Sequence, residues 1–377
     1  MTRRICYVSG TRADFGLMQT SLLAIQSRPK LHLDVLVTGM HLSPLFGDTV
    51  REIRRSGLSI RAEIPIPMEP ASGATMASNI GRLIMAFVDE WSSDRPDVVL
   101  LLGDRGEMLA GAIAAIHLNI PIVHVHGGER SGTVDEPVRH AISKLAHYHF
   151  VATESSRERL IRMGERSETI WVVGAPGLDG LLQSATLSRA VLCQNLGFDV
   201  DQAVALVVFH PVLQEAEQSA DAMRLILDCL VDQKAQAVVL MPNSDAGSDS
   251  IRQVLFQRDG HDGIRVLTHL ARSDFASWMA QCDVMIGNSS AGIIEAATFG
   301  TPVLNLGDRQ RMRERNANTM DVPLERAALL DALRHVRQKN RFLPSNLYGD
   351  GRTAQQIADL LENMTFTPEL LLKTNAY

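Results

Sequence analysis

The sequence predicts an α/β protein made of two doubly wound, Rossmann-like domains that face each other across a cleft. Short runs of Val, Ile and Leu alternate with longer amphipathic segments along the 377 residues, a pattern typical of buried parallel strands joined by helices. The pattern is interrupted by the segment GAPGLDG and then begins again. We therefore predict an N-terminal domain over 1–174, a C-terminal domain over 175–352, and a terminal helix and tail over 353–377.

In the predicted N-terminal domain, each strand is a short apolar run and each helix is a longer amphipathic segment. The strands are Ile5–Ser9, Leu33–Val37, Val98–Leu102, Ile122–His126, Phe150–Ala152 and Ile170–Val173. The helices between them are Phe15–Gln26, Met76–Trp91, Glu107–Leu118 and Glu136–His147. Ligands of such folds bind beyond the carboxyl ends of the strands, so the polar residues that follow each strand carry the most information about function.

The predicted C-terminal domain repeats the same alternation. Its strands are Ala205–Phe209, Ala237–Met241, Ile264–Leu267, Val284–Ile286 and Val303–Leu306. Its helices are Gln214–Asp232, Ser250–Arg258, Asp274–Gln281 and Ala291–Phe299, followed by a final helix over Thr353–Met364. Two domains of this kind, placed face to face, make the cleft between them the expected ligand site.

Composition and charge exclude several classes of partner. The net charge of −6 gives no general attraction to nucleic acid or to anionic membranes. The four cysteines are far apart and form no CxxC pair, which indicates a reduced, cytoplasmic setting. No apolar run is long enough to span a bilayer, and the N-terminus is too polar for a signal peptide. An anionic ligand must then be held by local arginines and backbone N–H groups.

The first strand is followed by SGTRADFG, which combines a glycine turn with a helix start. Arg12 and the free N–H groups of the helix could bind an anion there. The alternative is a surface loop in which Arg12 pairs with Asp14. The motif is not GxGxxG, so no dinucleotide site is indicated.

Carboxylates follow the next two strands. Asp104 comes directly after the Val98–Leu102 strand, and Glu129, Asp135 and Glu136 follow the Ile122–His126 strand. Carboxylates that share a pocket have pKa values that move apart, as paired acid and base roles require. Alternatively, Asp104 caps a helix, and Asp135 and Glu136 are favourable charges at a helix N-terminus.

Metal binding is a competing interpretation of the same region. His124 and His126 lie two residues apart and would point to the same side of a strand. No third ligand follows at a recognised zinc spacing, and buried strand histidines are more often hydrogen-bonded core residues. We therefore predict no metal site.

Polar strand ends recur in the second half. His210 ends one strand before a proline, and a second polar strand exit contains Asn243. The segment GNSSAGIIEA places Ser289 and Ser290 at a helix start, where they could bind a diphosphate, with Glu295 in reach of a ribose diol. A serine helix cap is the alternative. The basic cluster 309–315 is either a solvated face or a source of phosphate ligands.

Taken together, these motifs resemble a known family. The segments SGTRADFG, TGMHLSP, GDRGEMLAGA, HGGERSGTVDEPVRHAISKL, VGAPGLD, FHPV, PNSDAGS and NSSAGIIEA resemble the UDP-N-acetylglucosamine 2-epimerases. The resemblance is to the hydrolysing branch that supplies sialic acid synthesis, and a related branch acts on UDP-2,4-diacetamido-2,4,6-trideoxy sugars in legionaminic acid synthesis. The resemblance implies a GT-B type fold, a UDP-sugar in the cleft, no cofactor, and a homo-oligomer (dimer or tetramer).

The resemblance also implies a reaction and its residues. Loss of the C2 proton with anti elimination of UDP gives a 2-acetamidoglucal, and water then adds to give N-acetylmannosamine. The matching catalytic positions are Asp104, Glu129, Asp135, Glu136 and His210; the UDP contacts are Arg12, Asn243, Ser289, Ser290, Gly292, Glu295 and Arg313; and the sugar pocket holds His41 and Arg105. The alternatives are a non-hydrolysing epimerase, a glycosyltransferase and a nucleotide-sugar sensor.

The sequence departs from the family pattern at two positions. Met312 stands where the family usually has a glycine, and Gly106 stands where a bulky Phe is common. The first departure bears on Arg313, and the second is expected to change the lining near Asp104.

Overall fold

A computed structural model describes residues 2–338 and 341–376 of the chain, which form two parallel β-sheets flanked by helices. The strands of the first sheet are β1 Arg3–Ser9, β2 Leu31–Thr38, β3 Ser59–Ile64, β4 Val98–Leu102, β5 Ile122–Val125, β6 Tyr148–Val151 and β7 Ile170–Val172. Those of the second are β8 Val204–Val208, β9 Gln236–Leu240, β10 Ile264–Leu267, β11 Val284–Gly287, β12 Val303–Leu306 and β13 Thr319–Val322.

The strand orders are β3-β2-β1-β4-β5-β6-β7 and β10-β9-β8-β11-β12-β13. All the recorded strand pairs are parallel. In each sheet the chain starts in the middle, moves to one edge and then to the other. This reversal of direction is the switch point at which doubly wound folds bind ligands. It lies between β1 and β4 in the first sheet and between β8 and β11 in the second.

The helices cover both faces of the sheets. They are α1 Arg12–Gln26, α2 Val50–Arg55, α3 Gly73–Ser93, α4 Gly106–His117, α5 Asp135–Leu145, α6 Glu154–Arg162, α7 Leu181–Ser184, α8 Arg189–Leu196, α9 Ser219–Asp232, α10 Ser248–Arg258, α11 Arg272–Gln281, α12 Ser290–Ile294, α13 Arg326–Arg337 and α14 Thr353–Asn363. No helix of the described residues is both long and apolar enough to cross a membrane.

The predicted α/β alternation is confirmed, and the differences have physical causes. The unpredicted strands β3 and β13 are edge strands whose residues are mostly half-buried or exposed, so they lack a continuous apolar run. The predicted helix Gln214–Asp232 is a 3₁₀ segment followed by α9, since the backbone leaves the helical region at Glu215. The predicted helix Ala291–Phe299 is likewise split into the short α12 and a 3₁₀ turn.

The end of the chain returns to the first sheet. Helix α14 packs against α1, and its residues Ile357, Ala358 and Leu361 are buried in the same apolar core as Phe15 and Met18. The following tail then reaches α5. The ammonium group of its Lys373 donates hydrogen bonds to the carbonyl oxygens of Ser143 and Ala146, at 3.0 and 2.5 Å. The tail thus satisfies carbonyl groups at the C-terminal end of α5, which have no partner within the helix.

Close packing explains the glycine at position 106. A Cβ added to Gly106 would lie 3.0 Å from Cγ1 of Ile80 on α3. Helices α3 and α4 therefore approach closely at this point, and the Ile80 side chain fills the space next to the glycine. Packing between α3 and α4 thus accounts for part of the difference expected near Asp104.

Candidate active site

The turn after β1 is built around Asp14. Its carboxylate accepts hydrogen bonds from the Ser9 hydroxyl at 2.5 Å and from the N–H groups of Gly10 and Thr11 at 3.0 and 2.6 Å. Burial raises the pKa of Asp14 to about 6. Because this carboxylate is committed to the turn, it does not pair with Arg12, whose guanidinium instead binds Glu52 at 3.0 and 3.2 Å.

His41 contacts the same turn through its ring nitrogens. Its Nε2 lies 3.0 Å from the Ser9 hydroxyl and its Nδ1 lies 2.8 Å from the Thr49 hydroxyl. Burial lowers the pKa of this fully buried imidazole to about 4, so it is neutral near pH 7. The predicted contact between His41 and the sugar stays a prediction, and the observed contacts show that His41 braces the turn.

Asp104 follows β4 and faces the buried Arg139 of α5. The two side chains form an ion pair between Arg139 Nη2 and Asp104 Oδ2. Arg139 also donates to the Glu129 carbonyl at 3.2 Å and to the Ser131 hydroxyl at 3.3 Å. Asp104 does not cap α4, because the N-cap residue of that helix is Arg105 and no side chain caps it. The carboxylate is therefore held in place by Arg139 and keeps some exposure toward the cleft.

Glu129 is the most enclosed carboxylate of the group. One oxygen is bound by Nδ1 of His126 and the other by Nη1 of Arg313, which belongs to the second half of the chain. Only 3% of the Glu129 side chain is exposed. Met312 does not prevent this contact; its sulfur lies 2.7 Å from a guanidinium nitrogen of Arg130.

Asp135 and Glu136 occupy the first turn of α5, so their position at a helix N-terminus is confirmed. Glu136 accepts a hydrogen bond from the Ser131 N–H at 2.8 Å. Asp135 lies 3.4 Å from Nη2 of Arg309. Asp135 and Glu136 can therefore occupy the N-terminus of α5 and also lie beside the other carboxylates.

In the second sheet, His210 is fixed by two asparagines. The Asn288 side chain accepts from the His210 N–H and donates to the His210 carbonyl, both at 2.8 Å. The N–H of Asn243 donates to His210 Nδ1 at 3.2 Å, so the proton of the neutral ring is on Nε2. Burial and the nearby Arg309 lower the pKa of His210 to about 3.

The predicted diphosphate turn lies at the end of β11. The Ser289 hydroxyl accepts from the Ala291 N–H at 3.4 Å and so caps α12, while Ser290 is half-buried beside it. Glu295 is buried and forms an ion pair with Arg272 at 2.5 Å. A Cβ at Gly292 would lie 3.0 Å from Val303 Cγ1, so this glycine is needed where α12 packs on β12.

Several contacts close the cleft between the two sheets. Arg105 reaches across to Ser244 at 3.5 Å and to Asp245 at 3.6 Å. The N–H of Gly132 donates to the Arg309 carbonyl at 3.1 Å. Together with the pairs Glu129–Arg313 and Asp135–Arg309, these contacts bring the carboxylates of the first half against the arginines of the second.

Sequence reasoning missed four residues that the structure places in this group: His126, Arg139, Asp245 and Arg309. Arg139 lies within the segment HGGERSGTVDEPVRHAISKL and Arg309 within the basic cluster 309–315, so both belong to motifs of the sequence. Their partners were not visible, because those partners are distant in sequence. His124 and His126 do not share a partner: the His124 nitrogens lie 2.7 Å from the Gly103 carbonyl and 3.1 Å from the Ser143 hydroxyl.

Comparison with known proteins agrees with this architecture. A solved UDP-N-acetylglucosamine 2-epimerase from Neisseria meningitidis, bound to UDP-N-acetylglucosamine, superposes with a TM-score of 0.79 at 20% identity and covers 95% of this chain and 99% of that one. A Methanocaldococcus jannaschii UDP-GlcNAc 2-epimerase in complex with UDP-GlcNAc and UDP gives 0.80 at 18% identity, with the same coverage. The two facing sheets are therefore a GT-B type fold.

Sequence comparison gives the family. Residues 23–362 match the family described as UDP-N-acetylglucosamine 2-epimerase, and the chain belongs to that family. It is 49% identical, over the full length of both chains, to a Legionella pneumophila UDP-N,N'-diacetylbacillosamine 2-epimerase (hydrolyzing). It is 32% identical to a Neisseria meningitidis UDP-N-acetylglucosamine 2-epimerase over 96% of this chain and 95% of that protein. The chain is thus an epimerase of the UDP-sugar 2-epimerase class.

Proposed function

We propose that the protein is a hydrolysing 2-epimerase that converts UDP-N,N'-diacetylbacillosamine, a 2,4-diacetamido-2,4,6-trideoxy sugar, into its free C2 epimer and UDP. The observation that supports the hydrolytic reaction best is that Asp104, Glu129, Asp135 and Glu136 gather at the ends of the neighbouring strands β4 and β5. Arg309 and Arg313 of the second half pair with Asp135 and Glu129 there. The choice of sugar rests on the 49% identity to the Legionella protein.

The proposed reaction begins at C2. A base removes the C2 proton, the bond between C1 and the diphosphate breaks, and a glycal forms that then takes up water. Removal of a weakly acidic proton requires a base in a desolvated site, and the departing diphosphate requires cationic or N–H donors. The first requirement fits the buried group formed by Glu129 and its neighbours at the end of β5. The second fits Arg309, Arg313 and the N–H groups at Ser289 and Ser290.

UDP-N-acetylglucosamine is the second candidate substrate. It is the sugar expected from the motifs, and the 32% identity to the Neisseria enzyme favours it. The two sugars differ at C4 and C6, where N-acetylglucosamine carries hydroxyl groups. Buried polar groups arranged for one pattern are left unpaired by the other, so one substrate should be preferred by at least about tenfold in kcat/KM.

The test is to incubate the protein with each UDP-sugar in deuterated water and to follow the reaction by NMR. We expect UDP release from UDP-N,N'-diacetylbacillosamine together with a free sugar of inverted C2 configuration that carries deuterium at C2. Retention of the C2 proton would refute the elimination reaction. Epimerisation without UDP release would indicate a non-hydrolysing epimerase, and binding without turnover would indicate a sensor. A glycosyltransferase would instead require an acceptor.

Two variants of the same size test the carboxylates. Asp104→Asn should lose most turnover, because it removes a carboxylate of this group. It should keep UDP binding by calorimetry, because Asp104 pairs with Arg139 at the first sheet. Asp308→Asn is the control, since this aspartate is largely exposed. Equal activity in both variants would exclude a role for Asp104 in the reaction.

We further propose a cytoplasmic homo-oligomer. The four cysteines are all free and buried, which suits a reducing compartment. Sedimentation analysis of the purified protein tests the oligomeric state, and a monomer at micromolar concentration would contradict it.

A further inference from the structure

His126 occupies an unusual backbone position at the carboxyl end of β5. Its φ angle is +63°, in the left-handed region that residues other than glycine rarely adopt. Its N–H is held by the Phe150 carbonyl at 3.0 Å. Such strained positions persist only where surrounding contacts fix them, and they cluster at functional sites. At this position the His126 side chain contacts Glu129.

The contact with Glu129 sets the tautomer of His126. Glu129 is paired with the guanidinium of Arg313, and a carboxylate in such a pair accepts hydrogen bonds. The bond between Glu129 and His126 Nδ1 therefore places the ring proton on Nδ1. Burial and the charge of Arg313 lower the pKa of His126 to about 3, so the ring is neutral and Nε2 carries a lone pair.

Exposure distinguishes the imidazole from the carboxylate. The Glu129 side chain is 3% exposed and both of its oxygens are already bound, whereas the His126 side chain is 10% exposed. Within residues 2–338 and 341–376, His126 Nε2 makes no hydrogen bond to another residue. Arg313 and Glu295, both from the second half of the chain, are among the charges that act on the ring. The imidazole therefore lies at the face between the two sheets.

We propose that His126 is the catalytic base that removes the C2 proton, and that Glu129 acts through it as a positioning residue. This inference rests on the proposed function. The Nε2 lone pair takes the proton from C2, the electron pair of that C–H bond becomes the C1–C2 double bond, and the bond from C1 to the diphosphate oxygen breaks with its electrons leaving on UDP. The Glu129 carboxylate stabilises the resulting imidazolium, which then returns its proton to water.

The incoming substrate favours this role. A diphosphate bound by Arg313, as proposed above, would bring negative charge close to the ring, and the Glu129 carboxylate is already in contact with it. Both negative groups favour the protonated form of His126. Burial and Arg313 keep the ring neutral before the substrate binds, and the added negative charge makes it a stronger base in the complex. A carboxylate that orients an imidazole through Nδ1 while Nε2 moves the proton is a recurrent arrangement in enzymes.

The test variant is His126→Asn. Asparagine tolerates a positive φ angle, and its amide can still donate to Glu129, but it lacks the Nε2 base. We expect turnover of the UDP-sugar to fall by about 10²–10⁴-fold, with UDP affinity by calorimetry within about twofold of the wild type. The control is the same substitution at His32, an exposed residue beside Asp34, which should leave turnover unchanged.

Three outcomes would overturn the proposal. Turnover of His126→Asn within about threefold of the wild type would show that Nε2 is not the base. Release of UDP with accumulation of the glycal would place His126 in the hydration step instead. We expect the turnover of the double variant to match that of His126→Asn alone. If the losses of turnover in His126→Asn and Glu129→Gln instead multiply in the double variant, Glu129 acts on the substrate independently.

Activity of the wild type separates the proposed function from the role of His126. If the wild type turns over neither UDP-sugar, the proposed function fails, whatever the variants do. If the wild type is active and His126→Asn is not, both stand. Circular dichroism and UDP binding confirm the fold of each variant. Should His126→Asn fail to fold, His126→Gln, which also lacks a basic nitrogen, takes its place with the same expected loss.

Discussion

The contact between segment 131–133, which contains Gly132, and the loop after β12 can be tested by adding one methyl group. A Cβ at Gly132 would lie 2.1 Å from the carbonyl oxygen of Asp308. A carbon and a carbonyl oxygen approach no closer than about 3.3 Å without strain. Gly132→Ala therefore requires the two segments to separate by roughly 1 Å, relative to the closed arrangement in which Gly132 N–H binds the Arg309 carbonyl.

This displacement should reduce activity without unfolding the protein. The loop that moves carries Arg309 and Arg313, which pair with Asp135 and Glu129. A misplacement of about 1 Å in a catalytic constellation costs on the order of 10²-fold in rate. The glycine is exposed and its φ angle is not positive, so alanine is conformationally acceptable there. We therefore expect kcat/KM to fall by about 10²-fold with little change in the free energy of unfolding.

The assay is UDP release at saturating and limiting UDP-sugar, combined with urea unfolding of the same samples. Gly81→Ala is the matched control, because a Cβ at this position in α3 meets no atom within 4 Å. It should stabilise the helix by roughly 0.5–1 kcal/mol and leave kcat/KM unchanged. Wild-type kcat/KM in Gly132→Ala would refute the reasoning, since it would mean that turnover does not need the close approach of these two segments.

Three further predictions concern more distant contacts. Lys373→Met should lower the free energy of unfolding by about 2 kcal/mol at pH 7, since it removes hydrogen bonds from a charged donor; Lys30→Met, at an exposed position, is the control. Burial raises the pKa of Glu165, but its contacts with His149 and Lys373 lower that pKa to about 2. The stabilisation that these contacts provide is therefore present above about pH 4.5 and is lost as the pH falls toward 2. If Lys373→Met lowers the free energy of urea unfolding equally at pH 7 and pH 3, the pairing of Lys373 with Glu165 is contradicted. His124→Leu should reduce turnover by about tenfold, because the Gly103 carbonyl before Asp104 loses its donor, and His124→Gln should recover part of it; equal activities in the two variants would argue against the hydrogen bond. Glu295→Ala should weaken UDP binding by about tenfold in calorimetry, whereas Glu325→Ala should not, and an unchanged affinity would remove Glu295 from the UDP site.

Local pattern was sufficient where each element could be recognised from its own residues. Three strands have the predicted limits. Val98–Leu102 and Val303–Leu306 are buried throughout, and Ile264–Leu267 keeps three apolar residues although most of it is half-buried. The edge strands β3 and β13 were not predicted, since half-exposed residues carry no such signal. Asp104 and Asp14 show the same limit at the site: the sequence left helix capping and pairing open, and only the observed partners of each carboxylate decided between them.

The sequence alone determined the α/β class, the family resemblance and the positions of the polar residues at the strand ends. All of these depend on the order of residue types along the chain. Tertiary structure decided which of those residues meet. Glu129 and Arg313 are 184 positions apart, and Lys373 reaches Ser143 across 230 positions. No local pattern encodes such pairs, because they exist only after two sheets have formed, faced each other and buried the charges between them.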